Sequence, residues 1–295
     1  MDRTGTGTRS VFGYQMRFDL RKAFPAVTTK KLAWQAVIGE LLWFLEGSRD
    51  NKRLAYLTHG DETKRTIWTG NANEEGLPGS PNLWLTNPNR LGEDDLGRVY
   101  GVQWRGWQKF TIKDEGPEQI NHLDGSTTFT EAKVLLQNVD QIAQIINDLK
   151  NNPKSRRMML TGLNVGEVDQ MALPPCHTFA QFHVNNRNEL SCQVYIRSND
   201  MFLGAPFNIA SYAALVHMMA MVTGKGVGEL IITIGDAHIY SNHFEQSREQ
   251  ISRTPFASPQ LAIKRQVDSI DGFKREDFEL VGYESHAAIK AHMAV

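Results

Sequence analysis

Cys176 and His177 stand directly after Pro174-Pro175, so a thiol and an imidazole follow two residues that stiffen the backbone. A thiol attacks as the thiolate, and free cysteine, with a pKa of about 8.5, is mostly protonated at neutral pH. Help could come from His177, from the pair Arg156-Arg157 or from Arg197, the arginines only if folding brings them close. A Cys-His dipeptide serves structure as readily as catalysis, so the residues alone leave that choice open. Arg156-Arg157 precedes the apolar run Met158-Met159-Leu160, which places two guanidiniums at the start of a strand. Their forked donors match the oxygens of a phosphate, although a solvated basic turn has the same composition. Arg197-Ser198 adds a guanidinium and a hydroxyl at the end of another strand, and Asp200 could accept a hydrogen bond from a ring N–H or be an ordinary loop carboxylate.

Asn208 follows Gly204, Pro206 and Phe207 at the start of a helix. Its carboxamide offers an acceptor and two donors, which suits the adjacent carbonyl and N–H of uracil, or it caps the helix. His238 and Tyr240 share one side of an extended segment and could hold a sugar hydroxyl or satisfy each other. Glu40 lies mid-helix among apolar residues, where a buried carboxyl would have a raised pKa suited to proton transfer. Together these residues point to covalent chemistry on a phosphorylated ring.

The elements that must position them are legible in part. Thr28-Thr29 can cap a helix from about Lys30 to Glu46, stopped by Gly47, with Ile38, Leu41, Leu42 and Leu45 on its buried face. Helical spacing returns at Ile142, Ile145, Ile146 and Leu149 and ends at Asn151-Asn152-Pro153. Strands are expected over 179–184 and 190–196, joined by a turn at 185–188, with Cys192 facing the core. Pro206 opens a helix that carries Asn208 to about Val222, closed by Gly224. A strand at 230–234 and a helix from near Asn242 come next. Strands and helices without regular βαβ alternation predict an α+β fold. Stretches 69–95 and 109–130 read as loop-rich insertions in one catalytic domain spanning 1–295.

Lys+Arg of 32 against Asp+Glu of 33 leaves a net charge of −1, which argues against a polyanion-binding surface. Two cysteines make neither a disulfide framework nor a zinc quartet and fit a reducing cytoplasm; no metal is expected. The most apolar segment, 213–222, is too short to span a bilayer and includes His217.

In their order along the chain these residues resemble the thymidylate synthase family from Asp2 to Val295. The matching motifs are Asp2-Arg3-Thr4-Gly5-Thr6-Gly7, Glu40-Leu41-Leu42-Trp43-Phe44-Leu45, Val99-Tyr100-Gly101, Ser155-Arg156-Arg157 and Pro175-Cys176-His177. They continue through Arg197-Ser198, Gly204, Pro206-Phe207-Asn208-Ile209-Ala210-Ser211-Tyr212 and His238-Ile239-Tyr240-Ser241-Asn242-His243. The resemblance implies reductive methylation of dUMP by 5,10-methylenetetrahydrofolate, giving dTMP and dihydrofolate. It makes Cys176 the nucleophile on uracil C6, and Asn208 the reader of the uracil edge that also stabilises charge at O4. Glu40 would relay protons through water, and Tyr100 would stand near the C5 proton. His177 would support the ligand network without acting as an obligatory base. Arg3, Arg197 and Ser198 would bind the phosphate, His238 and Tyr240 the deoxyribose, and Asp200 would contact both ligands. Trp68, Leu173, Gly204, Phe207 and the terminal Val295 would serve the folate. Arg156 and Arg157 would reach the phosphate of the neighbouring subunit, so a homodimer is implied, its mixed, helix-covered sheet packing against its mate.

Some positions depart from the family pattern. Ile196 stands where Gln is usual, Thr69 replaces an acidic residue after Trp68, and Asn199 and Asn71 occupy variable sites. His292-Met293 replaces Pro-Val in the closing tail. The chain starts at the first motif, short of a helix usual in the family, so Arg3 is expected near a fraying end. The nearest rival is a pyrimidine hydroxymethylase, in which water rather than hydride attacks the exocyclic methylene. Members acting on dCMP tend to carry Asp where this chain has Asn208, which favours uracil. A non-catalytic nucleotide binder would not need the nucleophile.

Overall fold

Strand β1 (Thr8–Asp19) pairs antiparallel with the longest strand, β7 (Gly226–Tyr240), along almost its whole length. Further strands and helices fill the chain between them in a computed structural model that describes residues 6–77, 80–113, 119–121, 124–129 and 133–292. After β1 come α1 (Trp34–Glu46), α2 (Asn51–His59), α3 (Tyr100–Gly106), β2 (Trp107–Lys113), β3 (Lys133–Val139) and α4 (Gln141–Asn151). Then follow β4 (Met159–Thr161), β5 (His177–Val184), β6 (Glu189–Asp200) and α5 (Gly204–Thr223), with α6 (Phe244–Ser252) after β7. The main sheet has the order β1-β7-β6-β5-β4. Only β6 and β7 are parallel, so the sheet is mixed, within the α+β class that the irregular order of elements predicted.

One face of this sheet is the core. Leu190, Cys192, Val194 and Ile196 alternate inward on β6, level with Leu230, Ile232 and Ile234 on β7. Against them lies α5, which is buried nearly all round and packs in turn on α1. The segment 213–222 is thus part of a 20-residue helix that is long and apolar enough to cross a membrane, contrary to the expectation of too short a run. That helix is 72% buried inside the fold and serves as its central core element. The other face of the sheet carries Phe179 and Tyr195, whose rings stack at 5.8 Å, and the glutamines Gln15 and Gln193, both donating to Thr233 Oγ1.

Several boundaries differ from the sequence-based expectation. α1 begins at Trp34, not Lys30, and no side chain caps it. Thr28 Oγ1 instead donates to the Phe256 carbonyl, and Thr29 accepts from Gln250. Glycines 47 and 224 do end their helices, each in the left-handed conformation. Within 69–95 a short helix (Thr69–Asn73), a two-residue hairpin and a 3-10 turn (Leu83–Thr86) surround a buried Trp84, whose indole donates to the Asp95 carbonyl at 2.6 Å. β2 runs into the second stretch that the sequence reading took as loop and pairs antiparallel with β3 beyond it, and within the stretch 119–121 pairs with 127–129.

Candidate active site

The thiol sits where β5 begins, and its loop is held from three sides. Cys176 N donates to the Tyr100 hydroxyl at 2.8 Å, and Arg197 N donates to the Cys176 carbonyl at 2.9 Å. The Arg197 guanidinium donates to the carbonyls of Pro175 at 3.0 Å and Pro174 at 2.7 Å. The two prolines cannot donate themselves, so their carbonyls serve as the anchor points for a cation beside the thiol. Arg197 therefore spends part of its fork on holding the Pro174-Pro175 carbonyls, a role the sequence reading, which gave it the thiol and a phosphate, did not foresee.

Tyr100 opens α3, and Gly101 lets that helix close on α1, since a Cβ there would stand 2.2 Å from the Phe44 carbonyl oxygen. The phenol ring stacks on Phe44 at 4.9 Å and meets Trp68 and His177 edge-on. Burial, reinforced by the neighbouring Cys176, pushes the Tyr100 hydroxyl well above the ordinary phenol range, so it stays protonated and keeps an O–H to donate. Glu40 is 8% exposed on α1, and Trp68 Nε1 donates to its Oε1 at 2.7 Å. Burial raises its carboxyl to about 7, against a smaller pull downward from the Trp68 bond. A carboxyl so poised exchanges protons at physiological pH.

Asn208 is in the first turns of α5. Its Oδ1 lies 2.9 Å from His177 Nε2, and its Nδ2 donates to Asn199 Oδ1 at 3.0 Å. Burial lowers His177 to about 4, so the imidazole is neutral at pH 7 and acts as a hydrogen-bonding partner. His238 and Tyr240 are on one side of β7, as expected, with rings 5.0 Å apart, edge to face. Asp200 Oδ1 accepts from the backbone N–H groups of Phe202 and Leu203 at the turn into α5.

These groups share one cavity of about 740 Å³, within the range for small-molecule sites. Cys176, His177, Asn208, Glu40 and Tyr100 line it, as do Arg197, Ser198, Asp200, His238 and Tyr240. Trp68, Leu173, Gly204 and Phe207 form part of its wall. Arg156 and Arg157 do not line it; they are exposed just before β4. Arg3 and Val295 lie outside the described residues. The sequence reading did not name Asp236, Thr8, Ile67 or Leu203, which also face the cavity, and treated Asn199 only as a variable position. Asp236 was two residues from His238 in an alternating strand, which was a usable signal. A smaller cavity of about 350 Å³ between α1, α2 and residues 270–276 carries the Glu46–Arg53 ion pair and no nucleophile.

A thiol, a carboxyl poised near neutrality and a carboxamide with donor and acceptor to spare, all in one cavity, suit an enzyme that activates a planar ring by covalent addition. The model of the family described as Thymidylate synthase matches residues 1–295, and the chain belongs to that family. It is an enzyme of one-carbon transfer, and its general reaction is the methylation of dUMP with methylenetetrahydrofolate, so a folate-type cofactor is used.

Proposed function

We propose that the chain methylates dUMP through a covalent bond between Cys176 Sγ and uracil C6. The observation that carries this reading is the meeting of Cys176, Asn208, Glu40 and Tyr100 in one cavity. Uracil C5 is too weak a nucleophile to take up a one-carbon unit unaided. Addition of the thiolate at C6 moves the ring's electron pair towards C5 and O4, which makes C5 an enolate carbon. Asn208 holds the edge that includes O4 and stabilises that charge. Glu40 exchanges protons with the ring through water, and the protonated Tyr100 phenol stands beside the thiol to orient the water that removes the C5 proton. Expulsion of Sγ then restores the C5–C6 double bond. The folate, held against Trp68, Leu173, Gly204, Phe207 and Asp200, supplies the one-carbon unit and a hydride when bound. The apolar wall fits a flat heterocycle.

Arg197 and Ser198 hold the phosphate with Arg3, and His238 and Tyr240 the deoxyribose. Arg156 and Arg157, exposed on this chain, serve the partner's phosphate in a homodimer formed through the open sheet face. That face includes Phe179 and Met159, 40% and 49% exposed on neighbouring strands. The whole chain acts as one catalytic domain, and two free thiols suit a cytoplasmic enzyme.

Ile196 bears on the hydroxymethylase alternative. It is fully buried in the core and does not line the cavity, so this departure opens no route for water to the reacting carbon. Incubation with dUMP and the folate should give dTMP and dihydrofolate. 5-Hydroxymethyl-dUMP without dihydrofolate would sink the methylation reading, and failure of 5-fluoro-dUMP with folate to trap Cys176 would sink the covalent one.

A further inference from the structure

Gln103 is fully buried on α3, one turn after Tyr100, and does not line the cavity. Its Nε2 donates to the Arg98 carbonyl at 2.9 Å and to Glu167 Oε2 at 2.7 Å. Both partners are acceptors, so the carboxamide has one orientation; turned over, it would set Oε1 against two oxygens. Oε1 itself is buried with no partner, so nothing pulls the amide the other way. Arg98 completes the group: its Nε donates to Glu167 Oε2 at 2.6 Å and its Nη2 to the Gly106 carbonyl at 2.8 Å.

The group joins two segments that meet at the thiol. One is the start of α3, where the bond from Gln103 to the Arg98 carbonyl closes a loop around Tyr100. Tyr100 has a φ of +22°, which a residue with a side chain rarely adopts, and such a backbone persists where its surroundings over-determine it. The other segment leads to Cys176. Glu167 belongs to its 3-10 turn (Val165–Gln170). Beyond the turn, Arg98 N donates to the Gln170 carbonyl at 2.8 Å and Ala172 N to the Leu96 carbonyl at 3.0 Å. The chain then reaches Cys176, whose N–H meets the Tyr100 hydroxyl at 2.8 Å. Within the group Gln103 is the side chain of α3 that touches Glu167, so removing its carboxamide opens the loop around Tyr100 and cuts that link together.

We infer that Gln103 is a positioning residue, which ties the start of α3 to the Glu167 segment and so sets the Tyr100 hydroxyl against the Cys176 backbone. The inference rests on the reading of Cys176 as the nucleophile beside Tyr100. Gln103→Met keeps the length of the side chain and removes both donated bonds. It should lower kcat by about tenfold or more, the scale of a small misplacement at a reacting centre. KM for dUMP should stay within about twofold, because Gln103 does not face the cavity. The deciding measurement is a double-mutant cycle with Tyr100→Phe. Once the hydroxyl is gone, Gln103→Met should cost less than about threefold in kcat. A larger loss there means that the side chain acts through general packing, and overturns the inference. So does a loss carried in KM rather than kcat, or a kcat unchanged in either single variant. All variants are checked by thermal unfolding. If Gln103→Met does not fold, Gln103→Asn, one methylene too short to reach both acceptors, is scored the same way. Trapping of Cys176 by 5-fluoro-dUMP and folate in the unsubstituted enzyme is the control. An adduct with a failed cycle removes the Gln103 role alone, whereas no adduct removes the covalent reading and this inference with it.

Discussion

Glu40 concentrates a conflict between folding and chemistry in one side chain. Its carboxyl moves from 4.5 to about 7 because burial disfavours the charge, with the Trp68 bond only partly offsetting that. A folded pKa raised above the unfolded one stabilises the fold while the proton is present in both states, below about pH 4.5. That contribution is lost as pH rises through about 7, because the unfolded chain ionises freely over the interval. The loss is on the order of 3 kcal/mol. Glu40→Gln keeps an oxygen for the Trp68 indole and carries no charge to bury. It should therefore match the unsubstituted protein near pH 4 and exceed it in stability near pH 8, as measured by denaturant unfolding at both values. The same variant should lose kcat by about 10²-fold or more, the usual weight of a proton-transfer group. A stability difference that ignores pH would show that the carboxyl is not held protonated.

At the scale of elements, the site depends on how closely α3 approaches α1. Gly101→Ala would drive a methyl into the Phe44 carbonyl, where a Cβ comes within 2.2 Å of backbone that cannot rotate away. The helices must part, at a cost of about 1–3 kcal/mol. Tyr100 would move with α3 and loosen its bond to Cys176 N. The expected outcome is a lower Tm together with a lower kcat, and a variant with an unchanged kcat would separate the packing from the thiol's position. Such contacts also show why the sequence was only partly legible. The spacing on α1 and the stops at Gly47 and Gly224 are local devices, and each appeared where expected. The start of α1 did not, because Thr28 and Thr29 bond to Phe256 and Gln250, more than two hundred residues away. β1 went unread for a similar reason: it exists as an edge paired to β7, with Val11, Phe12 and Tyr14 exposed and no inward face to betray its period at that end. In the site, Cys176, Glu40 and Asn208 were legible by residue type. Asn199 was not, since only the registry of β6 on β7, which pairs it with Ala237 beside Asp236, brings it to the cavity; Asp236 was overlooked although it stands two residues from His238.

At the scale of the whole molecule, the sheet has one covered face and one open face, and the cavity has a thiol but lacks Arg156 and Arg157 from its own chain. The proposed homodimer through the open face would account for both, because an isologous contact gives each protomer what it lends the other. Mixing two inactive variants tests this directly. Cys176→Ala has no nucleophile but keeps both arginines; Arg156→Ala/Arg157→Ala keeps the nucleophile but cannot serve its partner's phosphate. In a mixed dimer, the site holding Cys176 in the arginine-deficient protomer receives both guanidiniums from the Cys176→Ala protomer and is complete. The opposite site is doubly deficient. Reassociation of an equal mixture forms mixed dimers as about half of the population, each with one working site of two, so activity should return to about a quarter of the unsubstituted level. If the arginines served the phosphate within their own chain, both sites of every mixed dimer would stay defective, and mixing would restore nothing. A charge placed in the middle of the open face, as in Phe179→Glu, should abolish the recovery by keeping the protomers apart, and sedimentation of that variant as a monomer would tie the lost activity to the lost contact.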